Sequence, residues 1–155
     1  MAKMDYESFI SLINSRRSCR RFRPDPIPDD HLNKIIEAAH WAPSGANSQP
    51  WDFVIVRRKE LRKNIFQFVR EFLSVYYNLE HTRARSLPFP SITKPITRIG
   101  YEDAPVFIIL CGDRRTKLAY PLYAAVELSE AILESSLANA FLYMQLAANT
   151  LGLGA

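Results

Sequence analysis

Tyr6, Phe9, Ile10 and Ile13 recur at i, i+3, i+4 and i+7, the spacing of one face of a helix. Asp5 stands just ahead of them, where a carboxylate accepts from the free N–H groups of a first turn. A polar and basic stretch, Ser15 to Phe22, follows and runs into a proline-rich corner, Pro24 to Pro28. Pro28-Asp29-Asp30 then opens a second helix, with its acidic residues where the helix dipole favours them. Leu32, Ile35, Ile36 and Ala39 supply its buried stripe, and Pro43 prevents continuation.

After a loop from Pro43 to Pro50, Trp51 to Val56 is rich in β-branched and aromatic residues and predicts a buried strand. Lys59 to about Leu79 predicts a helix with a core face of Leu61, Ile65, Phe68, Phe72 and Val75. From Glu80 to Asp103 the periodicity collapses around Pro88, Pro90 and Pro95, which predicts a long surface loop or lid. Tyr76, Tyr77 and Phe89 lie near it, open either to ring contacts with a ligand or to ordinary surface packing. Val106 to Cys111 is an unbroken apolar run ended by Gly112 and Asp113, the pattern of a fully buried strand. The last element begins between Leu122 and Ser129 and runs to about Thr150. Its small and apolar residues (Ala131, Ile132, Ser135, Leu137, Ala138, Phe141, Leu142, Leu146, Ala147) cover more than one face, which places it centrally or at a subunit interface. Gly152 is placed to end it.

No repeat, low-complexity segment or linker divides the 155 residues, and the expectation is a single domain over 1–155. Hydrophobic residues make up 48% and charged residues 23%, ordinary globular usage that argues against disorder. The apolar runs are too short to span a bilayer, and the N-terminus lacks the apolar core of a secretion signal. Cys19 and Cys111 have no metal-ligand spacing, and two thiols that never meet fit a reduced, cytoplasmic setting. His31 and His40, nine apart, and His81 read as surface histidines, not ligands. Cys111 reads as packing, and Trp41 and Trp51 as core anchors of the loop between them. The net charge of +4 permits an anionic partner. Nucleic acid is disfavoured, because the basic residues are not interleaved with aromatics on one evident surface.

Two stretches carry candidate chemistry. If Arg16-Arg17-Ser18-Cys19-Arg20-Arg21-Phe22 is extended, Arg16, Ser18 and Arg20 fall on one face. Two guanidinium forks around a hydroxyl suit a phosphate. On spacing alone, a solvated basic strand is the simpler reading. In Pro43-Ser44-Gly45-Ala46-Asn47-Ser48-Gln49-Pro50-Trp51, small residues let the backbone approach a ligand closely. Ser44, Asn47 and Gln49 add donors and acceptors suited to a polar heterocycle edge or a polyol. Composition alone favours a plain turn there.

Taken together, Arg16-Arg17-Ser18-Cys19-Arg20-Arg21-Phe22 and Ala42-Pro43-Ser44-Gly45-Ala46-Asn47-Ser48-Gln49-Pro50-Trp51 closely resemble the N-terminal signature of the nitroreductases. The strand start at Ala104 and the run Leu146-Ala147-Ala148 through Gly152-Leu153-Gly154 resemble that family's central helix and its end. The resemblance covers the whole chain and is loosest over Lys59 to Asp103.

That resemblance implies an α+β fold: a central, mostly antiparallel sheet flanked by helices, with a long buried central helix. It implies a homodimer with FMN at the subunit interface. Arg16, Arg17, Ser18 and Arg20 would hold the FMN phosphate and ribityl chain. Pro43, Ser44, Gly45, Asn47 and Gln49 would reach the flavin from the partner subunit. NAD(P)H would be the electron donor, and nitroaromatics, quinones or similar small molecules the acceptors, in ping-pong turnover without a catalytic side chain. The family continues beyond Gly-Leu-Gly with a further strand and a C-terminal arm, so this chain reads as C-terminally incomplete, less stable alone and compromised in cofactor affinity. Two rival readings follow: a specialised flavin relative of the dehalogenating type, suggested by Pro43-Ser44-Gly45-Ala46, and a catalytically silent flavin-binding or interaction module.

Overall fold

The computed structural model describes residues 5–80 and 101–155, apart from the side chains of residues 76–78 and 80. The chain divides into two compact units, one comprising Met1–Cys19, Pro26–Ile55 and Ile108–Ala155, the other Arg20–Asp25 and Val56–Phe107.

In the first unit, helix α1 spans Tyr6–Ser15, and the Ser8 N–H donates to Asp5 Oδ1 at 2.7 Å as a cap. That hydrogen bond holds the Asp5 carboxyl below its usual range. The apolar stripe lies on the helix as its spacing predicts, but no residue of α1 is buried: Ile10 is half-buried, and Tyr6, Phe9 and Ile13 are exposed. Helix α2 spans Asp29–His40 with Asp29 and Asp30 in its first turn and a Lys34–Asp30 ion pair at 2.7 Å on its surface. Leu32, Ile35 and Ala39 are buried as the periodicity predicts. Strands β1 (Trp51–Val56) and β2 (Phe107–Gly112) form a two-stranded sheet. The Asp113 N–H donates to the Pro50 carbonyl at 2.9 Å, so the end of β2 lies beside the start of β1 and the pair is antiparallel.

Helix α4 (Ser129–Thr150) is the longest element of this unit and packs against both α1 and α2. It is preceded by a π-helical turn, Ala124–Leu128. Its end is a Schellman motif: Gly152 has φ 72°, its N–H donates to Asn149 O at 3.1 Å, and the Leu153 N–H reaches Ala148 O at 2.9 Å. The buried residues of α4 are Leu133, Ser136, Ala140, Met144 and Ala148, one stripe at helical spacing. Phe141, Leu142 and Tyr143 stay exposed, so among the described residues one of its apolar faces is covered and another is not. The core joins Ile35, Ala39, Ala42, Trp51, Ala140, Met144 and Ala148, with Phe53, Ile108 and Leu110 packed against it. Helices flanking a small antiparallel sheet make the fold α+β.

Several expectations need correction. β2 is half-buried rather than fully buried, and Ile109 and Cys111 are exposed. Its apolar run would suit a strand covered on both faces, and the described residues supply less cover than that. Trp51 anchors the core at 6% exposure, whereas Trp41 is 78% exposed at the end of α2 and anchors nothing. His31 is half-buried with its Nδ1 buried and without a partner; His40 is exposed, as predicted.

In the second unit, α3 (Lys59–Glu80) buries a different stripe from the predicted one. Leu61, Phe68, Phe72 and Val75 are exposed, and the half-buried line runs through Arg62, Ile65, Phe66, Val69 and Leu73. This helix carries apolar residues on two faces, so periodicity alone could not choose between them. Tyr101, in the short 3₁₀ turn Tyr101–Asp103, stacks edge-on to Phe66 at 6.5 Å and tilted to Phe22 at 5.8 Å, and Arg62 donates to the Ala104 carbonyl. Of the predicted loop or lid, Glu80 to Asp103, Glu80 ends α3 and Tyr101–Asp103 form the 3₁₀ turn, while residues 81–100, with His81, Phe89 and the side chains of Tyr76 and Tyr77, lie outside the described residues. Among the described residues no helix is long and apolar enough to cross a membrane, and no three His, Cys, Asp or Glu side chains gather as metal ligands.

Candidate functional site

Pro43 ends α2, and the chain must turn sharply to enter β1. It does so through a 3₁₀ turn, Gly45–Asn47, closed by Asn47 N–H to Ser44 O and Ser48 N–H to Gly45 O, both at 3.0 Å. Three residues with a Cβ adopt left-handed backbone here: Ala46 at φ 51°, Asn47 at φ 52° and Gln49 at φ 43°. Each such residue costs about 1–2 kcal/mol, least for Asn, so the loop persists only because other contacts over-determine it.

Those contacts are identifiable. Within the loop, the Gln49 N–H donates to Ser44 Oγ at 3.0 Å, and Gln49 Nε2 donates to Asn47 Oδ1 at 3.2 Å. From α4, Ser136 Oγ accepts the Gly45 N–H at 3.2 Å while donating to Ile132 O at 2.6 Å. Asn139 Nδ2, one turn further on, donates to the Pro43 carbonyl at 3.1 Å. Gly45 lies so close to this helix that a Cβ there would sit 2.2 Å from Ile132 Cγ2. At the exit, Ser48 and Tyr120 share a 3.0 Å hydrogen bond, Pro50 is buried, and Trp51 Nε1 donates to His40 Nδ1 at 3.3 Å. Asp113, whose N–H meets Pro50, caps the following turn and pairs with Arg115 at 2.6 Å. The Arg115 side chain, then its backbone N–H, hold the Asp113 carboxyl down to about 2.

What the loop offers outward is polar. Asn47 and Gln49 are exposed and Ser44 is half-buried. Because Ser44 Oγ and Asn47 Oδ1 already accept hydrogen bonds, the Ser44 O–H and the Asn47 amide N–H groups remain as donors. A preformed rim of donors beside backbone that can approach closely suits the edge of a planar heterocycle.

The first motif leaves α1 in extended conformation at Arg16 (φ −64°, ψ 131°), where Asn149 Nδ2 of α4 ties back to Ser15 Oγ at 2.6 Å. Arg16 is half-buried and its guanidinium has no partner among the described residues, and Ser18 is exposed. Arg17 is engaged locally, donating to Asn14 O at 2.5 Å and Arg16 O at 2.8 Å, which satisfies carbonyls at the end of α1. Cys19 N–H donates to Ala155 O at 3.0 Å. Arg20 is exposed and belongs to the second unit, so the first unit itself brings together only Arg16, Arg17 and Ser18. An open groove of about 500 Å³ between α2 and β1, lined by Glu37, His40, Asp52 and Phe53 among others, includes none of the predicted site residues.

Sequence reasoning passed over Ser136 and Asn139. The available signal was two polar residues three apart in an otherwise apolar stretch, which on a helix share a face.

Residues 13–155 match the model of the nitroreductase family. Iodotyrosine deiodinase 1 of Rattus norvegicus is 26% identical over 145 residues, 89% of this chain and 51% of its own length. Iodotyrosine deiodinase of Danio rerio is 37% identical over 71 residues, 46% of this chain and 24% of its own. Among solved structures, the FMN-dependent nitroreductase CDR20291_0684 of Clostridium difficile R20291 superposes with a TM-score of 0.67 at 24% identity, covering 97% of this chain and 59% of that one. At that identity the likeness speaks for the fold. The chain spans about half the length of the curated relatives that match most of it.

Proposed function

The chain belongs to the nitroreductase family, and on that premise we propose that it forms the FMN-binding part of an oxidoreductase that passes hydride from NAD(P)H to nitroaromatic, quinone or similar acceptors in ping-pong turnover. The observation that carries this reading is the loop Pro43–Pro50, which contains three left-handed residues and is held by α4 at Pro43 and Gly45 while its donors face outward. Strain of this kind is retained where a ligand needs the shape.

FMN, when bound, supplies the redox chemistry, accepting hydride and delivering it to the acceptor. The residues of the chain hold and orient. Arg16, without a partner among the described residues, carries a charge suited to the phosphate, and Ser18 adds a hydroxyl beside it. Arg17 fixes the end of α1 and thereby the backbone that carries Arg16. Arg20 enters this set from its place in the motif. Ser44 and Asn47 donate to the edge of the flavin, Pro43 and Gly45 shape the approach, and Gln49 orients Asn47 through its 3.2 Å hydrogen bond. No side chain is assigned a proton to move.

The assembly is a homodimer in this reading. Tyr6, Phe9 and Ile13 of α1 and Phe141 and Leu142 of α4 are exposed apolar side chains on helical faces, and such faces mark protein contacts. A second copy covers them and brings its own loop to the flavin held by the first motif. The cytoplasm is the proposed compartment.

The test is the visible absorption spectrum after incubation with FMN and desalting, followed by NAD(P)H oxidation with a nitroaromatic or quinone. A protein that retains no flavin sinks the proposal and leaves the silent interaction module. A second reading has support of its own: the deiodinase relatives make reductive dehalogenation a rival activity. Halide release from an iodinated tyrosine, without nitro or quinone turnover, would decide for it.

A further inference from the structure

We propose that Ser136 and Asn139 of α4 are positioning residues of the site, clamping the Pro43–Pro50 loop in its strained shape so that it meets the flavin ready-formed; the ligand named here rests on the reading above.

Ser136 is 1% exposed, the most deeply buried polar side chain of the described residues. It uses both capacities of its hydroxyl: the proton goes to Ile132 O, and a lone pair accepts the Gly45 N–H. The backbone bond orients the hydroxyl, and the oriented hydroxyl fixes Gly45. Asn139 holds the Pro43 carbonyl from the same face of the helix, three residues on. The two hydrogen bonds therefore hold Pro43 and Gly45, immediately ahead of the point where the chain first turns left-handed, at Ala46 and Asn47. Neither side chain is among the donors left to face a ligand. What they supply is the backbone geometry that aims Ser44 and Asn47.

The energetics make the clamp consequential. An unclamped loop would gain by returning Ala46, Asn47 and Gln49 to ordinary backbone, least at Asn47. Without Ser136 Oγ, the Gly45 N–H would also lose its acceptor. The competent loop would then be a minority state, and apparent affinity falls in proportion to its population.

The experiment uses the whole chain with Ser136→Ala, Asn139→Ala and the hydroxyl-retaining Ser136→Thr. FMN affinity is read by flavin fluorescence quenching, the environment of the ring by its long-wavelength absorption band, and the loop by amide hydrogen exchange without ligand. Expected are roughly tenfold weaker FMN binding for each alanine variant, on the scale of one lost hydrogen bond, a shifted flavin band, and faster exchange at residues 45–49. Amides in the middle of α4 should keep their protection, and Ser136→Thr should restore most of the affinity. Global unfolding would instead expose α4 as well; Asn139→Ala, altered at the edge of the loop contact, is the variant least exposed to that outcome. Unchanged affinity, band and loop exchange in a wild type that binds FMN would overturn the clamp and leave the proposed function standing. A wild type that binds no FMN would overturn the function, and the exchange data alone would then decide the clamp: faster loop exchange in the variants upholds it, and unchanged exchange overturns it.

Discussion

Replacing Gly45 by alanine tests whether the loop is seated on α4 as closely as the geometry indicates. The added Cβ would sit 2.2 Å from Ile132 Cγ2, whereas carbon atoms in contact stand about 3.5–4.0 Å apart. Something must move by at least about 1.3 Å to restore ordinary contact. The isoleucine cannot readily give way: a β-branched side chain in a helix has one strongly preferred χ1, and its own Cβ is already 3.5 Å from the new atom. The loop has to lift, which stretches the 3.2 Å bond from the Gly45 N–H to Ser136 Oγ beyond use. Overpacking costs about 1–3 kcal/mol, and leaving that N–H without its acceptor about 1–3 more. Since relief of one aggravates the other, the expected total is about 2–4 kcal/mol. Urea unfolding followed by far-ultraviolet circular dichroism reads it directly. A double-mutant cycle with Ile132→Ala isolates the cause: removal of the offending methyl should recover at least about 1 kcal/mol relative to additivity. A Gly45→Ala variant within about 0.5 kcal/mol of wild type, or strict additivity with Ile132→Ala, would refute the close seating and the clamp argument with it.

Three further outcomes follow from other parts of the molecule. Gly152→Ala should cost about 1–2 kcal/mol by urea unfolding through its φ of 72°, since among the described residues beyond its chain neighbours no heavy atom lies within 4 Å of the added methyl; no loss would remove the Schellman ending. Asp113 has a folded pKa of about 2 against an ordinary 3.8, so its contribution is complete above the unfolded value and disappears as pH falls from about 4 towards 2. An NMR titration of its carboxyl with a midpoint near 3.8 would contradict the Arg115 pairing. For the proposed dimer, Phe141→Glu places a charge on a side chain that is 52% exposed in the single chain. It should shift light-scattering mass to the monomer while leaving the monomer folded, and an unchanged dimer mass would exclude that face from the interface.

The sequence carried the framework because most elements are bounded by residues with one physical meaning. Asp5 caps, Pro28 with two aspartates opens a helix, Pro43 closes it, and Gly152 terminates the last one; each boundary appears where those chemistries put it. The uncertain start of the last helix, between Leu122 and Ser129, corresponds to a π-helical turn at Ala124–Leu128, which shifts the hydrophobic register by the extra residue it holds. Faces were harder to read than boundaries. α1, α3 and α4 each carry apolar residues that the single chain leaves exposed, so a stripe at helical spacing specified burial without saying whether the covering surface belonged to the same chain. Trp41 and Trp51 show the same limit: two tryptophans flank one loop, and only the one at the start of a strand enters the core.

At the candidate site, composition accounts for a turn but not for its shape. Ser, Gly, Asn and Pro explain a turn by local propensity, yet Ala46 and Gln49, neither of which favours left-handed backbone, adopt it here. Local sequence would not choose that shape; α4 imposes it, through Ser136, Asn139 and the surface that only a glycine at position 45 can approach. The information for the loop is therefore written about ninety residues away from it, at separations of 91 and 96 residues for the two hydrogen bonds. The same helix ties the end of α1 through Asn149 to Ser15, next to Arg16. One helix thus fixes the entrance of the loop and the origin of the basic motif, two elements separated in sequence by α2. Any change that rotates or shortens α4 should disturb both together, whereas a change in either motif alone should leave the other in place.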